Sequence, residues 1–211
     1  MTKMFDPSCR RCPRLAQFLD DVRLKQPGYY CLPVPPFGDA NAKLLVVGLA
    51  PGMHGANRTG RPFTGDHAGI LLYEMLHEFG FGTHAESLSA DDPLLLKNCR
   101  ITNAVKCLPP DNKPVGAEIN ECNSFLAQEI AAMPKGSLLI ALGGIAHRAI
   151  IKSVGLRQAD YKFSHAAEHD VAGHFTLLDS YHCSRYNTNT RRLTTEMFRA
   201  VFARAKDILN Q

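Results

Sequence analysis

Four short apolar runs, at 43–49, 100–105, 137–142 and 174–180, are each followed by a stretch with helical spacing. Strands joined by helices rather than tight turns pair in parallel, and a parallel sheet needs helices over both faces to hide its apolar side chains. The alternation therefore predicts an α/β fold, a three-layer α/β/α sandwich with a central four-stranded parallel sheet. Helices are expected at 14–25, from Asp66 to Gly80 with Asp66 as N-cap, at about 116–132, from Gly144 to Ser153, and from Arg191 to Leu209. The segment GTHAESLSADDPLLLKN reads as a surface excursion. With 211 residues, 45% of them hydrophobic, the chain can bury one sizeable core. A single domain over 1–211 is expected, with an N-terminal arm to about residue 42 that includes the rigid connector PGYYCLPVPPFGD.

Charge decides less. A formal net charge of +4 suits a polyanionic partner and an ordinary enzyme alike. The N-terminal MTKMFDPSCRRCPRL has no apolar core of the signal-peptide kind, and no apolar run approaches a membrane span, so a cytoplasmic protein is expected. In that reducing compartment the seven cysteines are not read as disulfides. Cys9 and Cys12 form a C-x2-C pair, and Cys107 and Cys122 flank a proline-rich turn. The four could supply thiolates to one metal centre, but small buried cysteines give the same pattern, and spacing leaves both readings open. Cys31, Cys99 and Cys183 are read as structural.

Open parallel sheets bind ligands beyond the C-terminal ends of their strands. The unusual residues collect there. The first strand runs into GLAPGMHGANRTGRPFTGD, the second ends in TNAVKC, the third in Leu142-Gly143-Gly144, and the fourth in Ser180-Tyr181-His182-Cys183-Ser184. The first loop has neither the Gly-Lys-Ser/Thr of a Walker A sequence nor a G-x-G-x-x-G, which disfavours nucleoside triphosphates and NAD.

In this order, GLAPG, HGANRTGRPFTGD, TNAVKC and HCS with a downstream RRLT, together with the four spaced cysteines, resemble a family 5 (type B) uracil-DNA glycosylase. The related family 4 is similar in TNAVKC and the cysteines but carries a glutamate where this chain has Leu49. The resemblance spans Cys9 to Thr194. It implies a monofunctional DNA repair glycosylase that flips uracil out of double-stranded DNA and hydrolyses the N-glycosidic bond, leaving an abasic site. It also implies action on other deaminated bases such as hypoxanthine or xanthine, a monomer, and a structural [4Fe-4S] cluster on Cys9, Cys12, Cys107 and Cys122. One departure is Cys183, where the family usually has proline.

Within that resemblance the residues take roles by their chemistry. Phe63 is suited to stack on the extruded base, and Asn103 to pair with its edge through one donor and one acceptor. His182 can donate to the carbonyl oxygen on which charge develops as the base leaves. Gly48 and Ala50 line the base pocket, Ala50 leaving space for a purine. For the attacking water the candidates are Asn57 and Asp66; the expectation is that Asn57 orients the water and Asp66 caps the following helix. Contacts to DNA are expected from Arg58, Arg61, Lys106, Ser184, Arg185, Tyr186, Arg191 and Arg192. Two competing readings are an Fe-S or zinc protein that binds DNA without glycosylase activity, and an α/β enzyme that handles free nucleotides.

Overall fold

The computed structural model describes residues 5–210; Met1 to Met4 and Gln211, the ends of the domain drawn over 1–211, lie outside them. The chain runs α1 (Pro13–Lys25), β1 (Phe37–Gly38), β2 (Leu44–Gly48), α2 (Ala56–Thr59), α3 (His67–Glu78), β3 (Cys99–Asn103), α4 (Gly116–Ala131), β4 (Ser137–Leu142), α5 (Gly144–Ser153), β5 (Glu168–Val171), β6 (Phe175–Ser180), α6 (Arg185–Asn189) and α7 (Thr195–Leu209). Strand order is β1-β3-β2-β4-β6-β5. The four inner strands are parallel, as the alternation predicts, and β1 and β5 add antiparallel edges against β3 and β6. The expected sheet of four is thus one of six. Both additions are short and partly exposed, which keeps an open hydrogen-bonding edge from templating another chain.

Side chains alternate across each strand, and the two faces are packed separately. Leu44, Val46, Ile101, Ile140 and Leu178 meet α3 and α7, while Leu45, Val47, Leu139, Ala141 and Leu177 meet α4 and α5. The chain leaves β2 through α3 on one face and leaves β4 through α5 on the other. Neighbours β2 and β4 thus send their connections to opposite sides and open a crevice at their C-terminal ends. On the α5 face, Asp179 of β6 is fully buried. Its carboxylate accepts from His147 Nδ1 at 2.8 Å and His169 Nε2 at 3.3 Å, while His147 Nε2 donates to the Tyr161 carbonyl at 3.0 Å. Both His147 nitrogens thus face acceptors; burial pulls its pKa down, but the Asp179 carboxylate and the Tyr161 carbonyl together raise it.

The helix boundaries follow local chemistry. Asp66 caps α3 as expected, its Oδ1 accepting from Gly69 N at 2.9 Å. The closing helix, expected from Arg191, begins at Thr195 instead. Thr194 Oγ1 caps it by accepting from Met197 N at 3.2 Å. The residues before it form α6 and a turn in which Arg191 has φ 57°, a left-handed conformation that breaks the helix. No helix among the described residues is long and apolar enough to cross a membrane.

Candidate active site

The crevice holds a cavity of about 490 Å³ lined from all four parallel strand ends. The loop after β2 contributes Leu49, Ala50, Gly52, Phe63 and Asp66; β3 contributes Asn103; the β4–α5 turn contributes Leu142 to Ile145; and the segment after β6 contributes His182, Ser184 and Arg185. The loop after β2 is irregular for a reason visible at Phe63. Its φ of 57° is a strained conformation for an aromatic residue, and such strain persists where the surroundings impose it. Here α3 starts so close beneath that a Cβ at Gly69 would overlap the Phe63 carbonyl, and a Cβ at Gly48 would overlap both the Phe63 ring and the Asn103 amide. Gly48 therefore acts from behind, letting Phe63 and Asn103 approach each other. Phe63 belongs to the core and also presents its ring to the cavity, with centroid 6.0 Å from the His182 ring and planes 27° apart.

The polar groups of the cavity are left poised. Asn103 is buried and its Oδ1 has no partner among the described residues. His182 Nδ1 is likewise buried and unpaired, and burial lowers the imidazole pKa to about 4, so the ring is neutral near neutral pH. The His182 carbonyl accepts from Asn187 Nδ2 at 2.8 Å, which anchors the residue to α6. Asp66 does more than cap: Oδ1 serves α3, while Oδ2 lies against Gly55 and Gly52 at the cavity wall. Burial raises its pKa, opposed by the amides of Gly69 and Ala68.

Other expected site residues fall elsewhere. Asn57 does not line the cavity: it is fully buried on α2, its Nδ2 3.5 Å from Cys31 Sγ, its carbonyl accepting from Cys31 N, and its Oδ1 unpaired. Arg61 is buried under the excursion, paired with Asp92, bonded to the Ala90 carbonyl and lying over the Phe37 ring, so it cannot meet a phosphate. Lys106 is 1% exposed, ion-paired with Glu129 at 2.8 Å and bonded to Thr102 Oγ1, which likewise removes it from any DNA-facing rim. Arg58, Arg185, Tyr186, Arg191 and Arg192 are exposed, Arg192 standing over the Tyr181 ring, and Ser184 caps α6. Sequence reasoning missed His67 and Asn112. His67 directly follows Asp66, and its Nε2 meets Thr188 Oγ1 of α6 at 3.1 Å; Asn112, with φ 56°, sits in the turn after β3 whose proline-rich sequence is the only signal for it.

Cys9, Cys12, Cys107 and Cys122 line one small cavity away from this crevice, with Leu15, Val105 and Phe125 around them. Cys122 Sγ accepts from Lys106 N at 3.3 Å. Two residues of the N-terminal arm and two of the β3–α4 region are thus brought together as one set of four sulfur donors, the rest of the wall being mainly apolar.

Comparison with known proteins places this geometry. The profile described as "Uracil DNA glycosylase superfamily" matches residues 35–206. A type-5 uracil-DNA glycosylase of Thermus thermophilus is 45% identical over 204 residues, covering 94% of this chain and 93% of that protein. Type-5 uracil-DNA glycosylases of Pyrobaculum aerophilum (42% identical; 94% of this chain, 88% of that one) and Mycobacterium leprae (38%; 95% and 91%) also align. A type-4 uracil-DNA glycosylase of Sulfurisphaera tokodaii is 29% identical over 92% of this chain. A cavity at the β2–β4 switch point, walled by GLAPG, TNAVKC and HCS, and a match over most of the sequence make this chain a member of the uracil DNA glycosylase superfamily, alongside its type-5 proteins.

Proposed function

We propose that this protein excises uracil from DNA by hydrolysing the bond between C1′ of the deoxyribose and N1 of the base. The observation that carries the reading is a single cavity in which an aromatic face (Phe63), an amide with an unpaired acceptor (Asn103), a neutral imidazole (His182) and a half-buried carboxylate (Asp66) converge. An extruded uracil stacks on Phe63, and the Asn103 amide accepts from N3–H and donates to the adjacent carbonyl. As the bond breaks, its electron pair goes to the base and positive charge grows at the sugar. The departing anion is met by a ring N–H of His182, which needs no prior deprotonation because the ring is already neutral.

The water is assigned to Asp66 rather than Asn57. Asp66 lines the cavity and Asn57 does not, and a carboxylate can accept the proton that water releases as its oxygen bonds to C1′. Burial that lifts the carboxyl pKa makes it a better proton acceptor. Ala50 and a volume of about 490 Å³ extend the proposal to larger deaminated bases, hypoxanthine and xanthine. The substrate is double-stranded DNA, bound by a monomer in the cytoplasm through the exposed Arg58, Arg185, Tyr186, Arg191 and Arg192 and the half-buried Ser184. Cys9, Cys12, Cys107 and Cys122 fit a [4Fe-4S] cluster, since soft thiolates facing one largely apolar cavity are the donor set such a cluster takes. It would tie the arm to the β3–α4 region and take no part in the hydrolysis. The test is a set of duplexes carrying uracil, hypoxanthine or xanthine, scored by alkaline cleavage. Abasic sites should appear with uracil and be lost in Asp66→Asn; intact strands with all three would overturn the reading.

A further inference from the structure

A second basin of about 810 Å³ adjoins the first cavity and shares Gly52, Asp66, His67, Asn112 and Arg185 with it. Its outer wall comes from the excursion between α3 and β3, through Glu86 and Leu88, and from Ile70 on α3. Leu88 is 68% exposed and Ile70 62% exposed, so two large apolar side chains stand in water a short way from the proposed point of base removal. Solvating them costs free energy that a flat apolar ligand would recover. Two cations also reach the basin, Arg58 and Arg185, neither with a carboxylate partner among the described residues. Glu86, two residues before Leu88, lines the same basin and is exposed.

Cations and exposed apolar surface share this basin, and Arg58 also lines a neighbouring cleft together with Leu88. A phosphate is attracted to Arg58 and Arg185 and repelled from Asp66 and Glu86, whereas the π-face of a base is indifferent to sequence and favours apolar contact. A ligand that carries both an anionic group and a flat apolar face, and that is covalently continuous with the occupant of the first cavity, is a neighbouring nucleotide of the same strand. We infer that the basin binds the nucleotide adjacent to the lesion, its base against Leu88 and Ile70 and its phosphate toward Arg58 and Arg185, so that the enzyme unstacks a second base beside the one it removes. The inference rests on the glycosylase reading and adds a second nucleotide subsite to it.

The test is a cycle between a protein side chain and a substrate base. Binding and single-turnover excision are measured for the parent, Leu88→Ala and Ile70→Ala on uracil duplexes with a normal neighbour or a tetrahydrofuran abasic neighbour, on the 5′ or 3′ side. Both side chains are exposed, so the variants keep the fold, which a melting curve verifies. On one side of the lesion, removing the neighbouring base should weaken parent binding by about three- to tenfold, and Leu88→Ala should bind the normal duplex about as weakly while losing little more with the abasic neighbour. Losses that simply multiply, or a parent indifferent to the neighbouring base on both sides, would overturn the inference while excision of uracil continued. Absence of excision by the parent would instead overturn the glycosylase reading beneath it.

Discussion

Asp66 holds the first turn of α3 with one oxygen, keeps the other beside Gly52 and Gly55, and lines the cavity. Asparagine keeps the cap but cannot take a proton from water, so Asp66→Asn should melt close to the parent and lose about two to four orders of magnitude in single-turnover excision. Asn57→Ala should stay within about tenfold of the parent rate, because that amide packs on Cys31 outside the cavity. Quench-flow assays on both variants check the assignment, and the reverse ranking would return the water to Asn57. His182 makes a pH prediction. Its folded pKa of about 4 lies below the ordinary value of 6.5, so excision should show no loss attributable to His182 between pH 8 and pH 5.5, where a surface histidine would already be charged. A rate profile breaking near pH 6.5, and flattened in His182→Gln, would contradict it. At this scale Phe63, Asp66, Asn103 and His182 were legible because each sits at a strand end or in the loop leaving one, whereas His67, at the start of α3, and Asn112 were not. Arg61 and Lys106 were not, since their carboxylates, Asp92 and Glu129, are remote in sequence and no local pattern announces a buried partner.

Elements lock to one another through such pairs. Lys106 follows β3 and Glu129 lies in α4, so their ion pair pins the helix to the strand behind the four cysteines. Breaking one half leaves a buried charge without its counter-ion, and Lys106→Ala should destabilise the protein by about 3–5 kcal/mol in urea unfolding, far beyond a rim arginine such as Arg191→Ala. The α1 arm is held to the β3–α4 region by the packing of Leu15 on Val105, Cys122 and Phe125 and by the pairs Arg11–Glu121 and Arg14–Glu118, and the proposed cluster would add to these. Cys122→Ala should abolish the brown colour expected of anaerobically purified protein and make the segment around α1 more open to proteolysis, while parent protein that is colourless and carries stoichiometric zinc would replace the cluster by a single ion. The inner strands and long helices were readable because their periodicities run over several residues. Edge strands of two and four residues carry no such signal, and the split between α6 and α7 turns on one left-handed residue, Arg191.

Over the whole molecule, histidines shifted in opposite directions make stability depend on pH, His147 upward and His165 and His182 downward. His147 has a raised folded pKa, so its contribution is complete below the unfolded value near 6.5 and is lost as pH rises through the folded one. His182 has a depressed folded pKa, so its contribution is complete above 6.5 and is lost as pH falls toward 4. Melting temperature should therefore fall on both sides of neutrality, with His147→Gln flattening the alkaline limb and His182→Gln the acid limb; thermal scans from pH 5 to 9 decide it. The register of β2 reaches further. Leu44 pairs with Cys99 on one side and with Leu138 on the other, so the central strand is made early and gains its last neighbour late. During translation β2 must wait, one edge unpaired, until β4 has cleared the ribosome exit tunnel. Over that interval the nascent chain carries β2 as a target for chaperones, and synthesis that pauses while β4 is still inside the tunnel should favour aggregation over a pause placed after β4 has emerged.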